Sequence, residues 1–210
     1  MPTTPDVLAA YVDAADTVVA LVERIGPGDA RWDGPGLGHW TLRDLVGHTG
    51  LALSNVLAYA DRPAGVEDIG SAEAYYALDA SQTGEGADVA AIDRRARDAG
   101  VALGTDPPAA FRALAHRTVA RVDGADPDAL VRCVAGGIRL GSYVATRTAE
   151  LVLHGYDIAA AVDVPVLFTD RALAETATVL ARTGVARGTG PRLVLALSGR
   201  GRLPDGYGVF

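Results

Sequence analysis

Apolar residues recur along this chain at the three- and four-residue spacing of helices buried on one side. From residue 5 to 25, Leu8, Tyr11, Val12, Ala15, Val18, Val19 and Val22 share a face, and Gly26-Pro27-Gly28 ends the segment. A loop rich in Gly and Pro is predicted over 29–39. The next stripe is Leu42, Leu45, Val46, Thr49, Ala52, Leu53, Val56 and Leu57, which predicts a second helix to residue 60. Thr41 reads as its N-cap, with Asp44 at N3 as the acid of a capping box. Residues 63–86 read as loop with one short helix over 71–80. Helices are predicted over 88–103 and, beyond the Asp106-Pro107-Pro108 break, over 109–122. Residues 130–135 are too short to assign, and Gly136-Gly137 reads as a break before a long helix over 140–162. A further helix is predicted over 170–186, capped by Thr169, and a strand-like run over 193–197 in an otherwise irregular tail.

Four long helices joined by Gly- and Pro-rich connections predict an all-α fold, a helical bundle. Up-down antiparallel packing is the simplest topology, and the longer connection over 63–86 leaves a crossover open. The chain divides on this reading into a bundle over 1–162 and a C-terminal extension over 163–210 packed on it.

Composition narrows the function classes. The chain has 210 residues, 49% apolar and 21% charged, enough for a sizeable core. Its formal net charge of -7 argues against a general attraction to nucleic acid or to an anionic membrane. No apolar run free of charge is long enough to span a bilayer. Asp6, Asp13, Asp16 and Glu23 interrupt the N-terminal segment, which does not read as a signal peptide, so a cytoplasmic location is expected. All 19 basic residues are arginines, which suit bidentate binding of a carboxylate. The single cysteine, Cys133, cannot form an internal disulfide and reads as a small buried residue.

The candidate chemistry sits on the helix over 140–162. At 100° per residue, Arg147, Glu150, His154 and Asp157 fall within an arc of roughly 80°. Nearly every other position there is apolar or small, so this charged stripe is expected to face an interior cleft. The bland alternative is a narrow solvent-facing stripe whose pairs contribute only about 0.2–0.5 kcal/mol each. His48 lies at the edge of the second helix's apolar face, from which it can reach a neighbouring helix. Together His48, Glu150 and His154 make a candidate metal site with three protein ligands, leaving positions open for a water, a thiol or a substrate oxygen. Imidazole and carboxylate donors suit Zn²⁺, Ni²⁺ or Fe²⁺. Arg147 and Asp157 are candidates to orient a ligand or bind substrate, or to pair with neighbouring helices. His39, in the loop, and His116, between Arg112 and Arg117, lack a carboxylate one helical turn away.

The stretch Trp40-Thr41-Leu42-Arg43-Asp44-Leu45-Val46-Gly47-His48 resembles the W-[ST]-x-x-[DE]-L-x-x-H opening of the second helix in DinB-like proteins. Glu150-Leu151-Val152-Leu153-His154-Gly155-Tyr156-Asp157 resembles the E-x-x-x-H-G-x-D core of the fourth helix in the mycothiol-dependent maleylpyruvate isomerase N-terminal domain. The likeness covers residues 5–162. It implies a four-helix bundle holding a divalent metal, usually zinc, with His48, Glu150 and His154 matching its three ligands. It also implies metal-assisted formation of a thiolate from a low-molecular-weight thiol, mycothiol in the bacteria that make it. In an isomerase that thiolate adds to a cis double bond and leaves after rotation; in a transferase it stays on the product. A thiol-using transferase or isomerase acting on a small-molecule electrophile is the expected function. A metal-dependent hydrolase and a non-catalytic small-molecule-binding module are the alternatives. Bundles of this type often pair through a helix face, and the helix over 170–186 is the candidate face for a homodimer.

Overall fold

The computed structural model describes residues 4–78 and 89–209. Helix α1 (Thr4–Glu23) buries Tyr11, Ala14, Ala15, Val18 and Val22, the face its spacing predicts. The loop after it is more ordered than its composition suggests. The Asp29 carboxylate accepts from the Arg31 backbone N–H at 2.9 Å and starts a 3₁₀ turn (Ala30–Asp33). That turn buries Trp32, whose Nε1 donates to Gly26 O at 2.7 Å.

Helix α2 (Leu42–Tyr59) opens on the predicted capping box. Asp44 N donates to Thr41 Oγ1 at 3.1 Å and Thr41 N donates to Asp44 Oδ2 at 3.1 Å. A short helix, α3 (Ala72–Ala77), is capped by Ser71. Residues 79–86 of the expected loop and short helix, and the start at Asp88 of the next helix, lie outside the described residues. Helix α4 covers Val89–Ala102. Helix α5 (Pro107–Val122) starts two residues earlier than predicted, with Asp106 as N-cap. Proline suits a first helical turn, where its missing N–H has no partner to lose.

Two corrections concern the rest of the chain. Residues 130–139 are not an unassigned stretch and a break. They form an antiparallel hairpin of β1 (Leu130–Cys133) and β2 (Gly136–Arg139), with Cys133 opposite Gly136. Gly136 sits at φ +130°, and a Cβ there would lie 2.7 Å from Asp68 Oδ2. That oxygen accepts from Gly137 N at 2.7 Å, so the glycines let the hairpin close on the loop before α3. The described residues are therefore mostly helical with one small two-stranded sheet rather than wholly α. The second correction is the tail. Residues 193–197 belong to a helix, α8 (Gly190–Leu197), with Pro191 in its first turn. A five-residue apolar run carries no period that separates strand from helix.

Helices α6 (Leu140–Val162) and α7 (Asp170–Ala186) match their predicted bounds, and Thr169 Oγ1 accepts from Ala172 N at 3.2 Å. Helices α1 and α2 each pack against α5 and α6. Helix α4 lies on α2, α7 lies on α6, α1 and α3, and α8 lies on α7. The common core includes Tyr11, Leu45, Leu53, Phe111, Tyr143, Leu151 and Ile158, all fully buried. Cys133 is buried, as its reading expected. Among the described residues no helix is long and apolar enough to cross a membrane.

The contact of α2 with α4 is unusually close. A Cβ on Gly47 would lie 2.2 Å from the backbone N of Gly100, and one on Gly100 would lie 3.0 Å from Arg43 O. The backbones of the two helices touch at that point: a Cβ at Gly47 has no room, and one at Gly100 would press on Arg43 O.

Candidate metal centre

Helix α6 is buried around most of its circumference, so its charged stripe runs along an interior face. Arg147 is 6% exposed. The side chains of Glu150, His154 and Asp157 are 24%, 16% and 34% exposed, so the stripe is most buried at Arg147 and most open at Asp157. A surface stripe would be exposed throughout. His48, from α2, meets it: the His48 and His154 rings are 5.0 Å apart between centroids and nearly perpendicular.

One donor atom each from His48, Glu150 and His154 falls within 4.8 Å of the others. His154 Nε2 lies 3.3 Å from Glu150 Oε2. Donors about 2.1 Å from a tetrahedral ion stand about 3.4 Å apart, a spacing the His154–Glu150 pair already has, and the cluster as a whole lies within 4.8 Å. His48 Nδ1 is buried without a hydrogen-bond partner, a demand that a cation coordinated at that atom would meet. The donor set and its spacing fit a divalent cation.

The surrounding groups hold the donors in place. His154 Nδ1 lies 3.0 Å from Asp157 Oδ2, which fixes the ring and leaves Nε2 toward Glu150. The Tyr76 hydroxyl lies 2.8 Å from Glu150 Oε1 and 2.9 Å from Thr146 O. Among the described residues Arg147 neither pairs with Asp157 nor forms a salt bridge with another carboxylate. Its guanidinium sits 5.5 Å from the Tyr75 ring centre and 5.1 Å from that of Tyr143, and its Nε donates to Thr146 Oγ1 at 3.0 Å. Cation–π contacts of this kind offset part of the cost of burying the charge.

The electrostatics focus one positive charge at this point. Burial opposes charge on His154, yet the hydrogen bonds and fields of Asp157 and Glu150 push its pKa up to about 9. Burial likewise opposes charge on Glu150, but His154, Arg147 and the Tyr76 hydroxyl outweigh it and hold the carboxyl at about 2. His48 goes the other way. Burial, reinforced by the charge on His154, lowers it to about 4, so it presents a neutral imidazole. Glu150 at Nε2 and Asp157 at Nδ1 thus favour positive charge on the His154 side of the cluster, beside the neutral imidazole of His48.

All five residues singled out in the sequence lie along or beside this stripe. The histidines set aside lie elsewhere: His39 Nε2 is 3.0 Å from Asp93 Oδ2, and His116 is exposed. Tyr76, Tyr75 and Tyr143 were missed. Tyr143 stands one turn before Arg147 on α6 and was readable in principle. Tyr75 and Tyr76 come from a six-residue helix whose orientation no periodicity could have fixed.

Comparison with known proteins agrees with this geometry. No curated protein and no solved structure matches the chain. The sequence profile described as the mycothiol maleylpyruvate isomerase N-terminal domain matches residues 11–159, which include all three residues of the cluster. With both motifs inside that span, the chain belongs to the mycothiol maleylpyruvate isomerase N-terminal domain family.

Proposed function

We propose that this protein is a DinB-like four-helix-bundle enzyme that binds a divalent cation, zinc above nickel or iron(II), through His48, Glu150 and His154. With a low-molecular-weight thiol of the mycothiol type it transfers the thiol to, or isomerises, a small electrophile. The observation that carries the reading is the convergence of two imidazoles and a carboxylate from α2 and α6 within 4.8 Å. The bundle reading is supported by α1 and α2, each packed against both α5 and α6. A division near residue 162 is supported by the end of α6 at Val162 and of the family match at residue 159.

A divalent cation held by these ligands supplies Lewis acidity, lowering the pKa of a thiol or water in an open position. The protein's own groups prepare the site. Asp157 fixes the His154 ring through Nδ1, and Tyr76 fixes Glu150 through Oε1. The buried charge of Arg147, one turn before Glu150, favours anions nearby, whether a thiolate or a substrate carboxylate. The net charge of -7 supports a small-molecule substrate rather than nucleic acid or a membrane, and a cytoplasmic setting supplies such thiols. Pairing of two copies through α7 is the proposed oligomer.

The test is elemental analysis of the purified protein, followed by conjugation of mycothiol to 1-chloro-2,4-dinitrobenzene. The wild type is expected to carry stoichiometric metal and to turn over; His154→Ala is expected to lose both. Retained metal in that variant overturns the ligand assignment. Metal with ester cleavage but no conjugation replaces the thiol reading with hydrolysis.

A further inference from the structure

The two histidines of the cluster are held in different ways. His154 has a carboxylate on its second nitrogen, the usual way a ligand ring is oriented. Among the described residues no carboxylate hydrogen-bonds the His48 ring, whose Nδ1 is buried without a partner. The ring rests instead against the Trp40 indole, with centroids 4.7 Å apart. Trp40 stands just before the first turn of α2, outside the helical hydrogen-bonding pattern, and its side chain needs an anchor of its own. The anchor comes from another helix. Trp40 Nε1 donates to Asp93 Oδ1 of α4 at 2.8 Å, while His39 Nε2 lies 3.0 Å from the other oxygen. The Asp93 side chain is partly buried, at 17% exposure.

We infer that Asp93 is a positioning residue for His48, acting through the Trp40 indole: α4 sets the ring of a ligand on α2 and so tunes the affinity of the site. The inference rests on the metal reading of His48, Glu150 and His154. A rigid link between the two helices is required, and the structure supplies one. Gly47, the neighbour of His48, touches the backbone of α4 at Gly100. At that contact α4 cannot move closer, and the Asp93–Trp40 bond limits its moving away. A ring held between Trp40 on one side and His154 on the other has little freedom to turn from the donor cluster.

The experiment measures Zn²⁺ and Co²⁺ affinity of the full chain by competition with a chromophoric chelator, with the Co²⁺ absorption spectrum as a second readout. Asp93→Ala is expected to weaken binding about 3- to 10-fold, toward the lower end of what outer-sphere partners contribute, and to change the Co²⁺ spectrum. Asp93→Asn, which keeps an acceptor for the indole N–H, is expected to retain most of the affinity. Trp40→Phe keeps an aromatic wall but loses the donor. It should match Asp93→Ala, and the double variant should be no worse than either alone. His39→Ala should leave binding unchanged. Wild-type affinity in folded Asp93→Ala overturns the inference and leaves the metal reading standing. A loss in Asp93→Asn as large as in Asp93→Ala also overturns it, because remote charge would then be responsible. A wild type that binds neither ion overturns both.

Discussion

At the scale of single residues, the cluster was legible because one helix carries most of it. The 3.6-residue repeat alone puts Arg147, Glu150, His154 and Asp157 on one face, and the apolar remainder of α6 implies an interior position. The sequence could not say which member touches which. Asp157 pairs with His154, whereas Arg147 turns to two tyrosine rings. That difference gives the two residues different duties. Asp157 fixes the ring of a proposed metal ligand, so Asp157→Asn is expected to lower Zn²⁺ affinity about 10-fold with little change in unfolding temperature. Chelator competition on the folded variant checks this. Unchanged affinity would reduce Asp157 to a surface partner of His154.

Elements were legible wherever a long period existed, and the misreadings fall where none did. The bounds of α6 and α7 were recovered to the residue, while the hairpin of β1 and β2 escaped because four-residue strands hold no more than two alternations. Contacts between elements escaped for another reason: a glycine that lets two helices touch looks like any other in the sequence. Gly47→Ala tests this directly. Alanine would gain about 1 kcal/mol of helix propensity, but its Cβ would sit 2.2 Å from Gly100 N, against backbone that cannot turn aside. A net loss of about 1–3 kcal/mol is expected from overpacking, read by urea unfolding; a stabilised variant would mean that α2 and α4 separate freely. A second inter-helix tie joins α1 to α7. Asp13 accepts from Arg171 Nε at 3.0 Å and from Thr169 Oγ1 at 2.8 Å. Burial alone would raise the Asp13 pKa, but the Arg171 and Thr169 hydrogen bonds and the Arg171 charge prevail and lower it. A carboxyl lowered on folding stabilises the fold above its unfolded pKa, about 3.9, and that contribution fades as pH falls through the lower folded value. Asp13→Asn should therefore cost about 0.5–1 kcal/mol at pH 7, and the gap from wild type should close below pH 4. A gap that stays constant to pH 2 would show that the tie is not ionic.

For the whole molecule, the question is how far the C-terminal segment belongs to the bundle. The sequence marked residues 163–210 as an extension, and the packing divides that extension in two. Phe168 and Ala172 are buried in the main core, and the Phe168 ring lies so close to Gly155 that a Cβ there would approach to 2.5 Å. Val179 packs with Ala145 and Ala149 of α6. Helix α7 thus covers the face of α6 that carries Ala145, Ala149 and Gly155. Helix α8 lies chiefly against α7 and leaves Val194 and Leu197 63% and 80% exposed, so little apolar burial depends on it. Two truncations separate these roles. A chain ending at Gly188 should fold, keep its metal and lose no more than about 2 kcal/mol, the burial of one side chain such as Leu193 against Gly184. A chain ending at Asp163 uncovers Ala145, Ala149 and Gly155 together and removes Phe168 from the core. It should aggregate, or unfold at markedly lower temperature. Circular dichroism melting with elemental analysis on both truncated chains reads the outcome. A stable, metal-bearing chain ending at Asp163 would make the bundle self-sufficient and α7 an appendage.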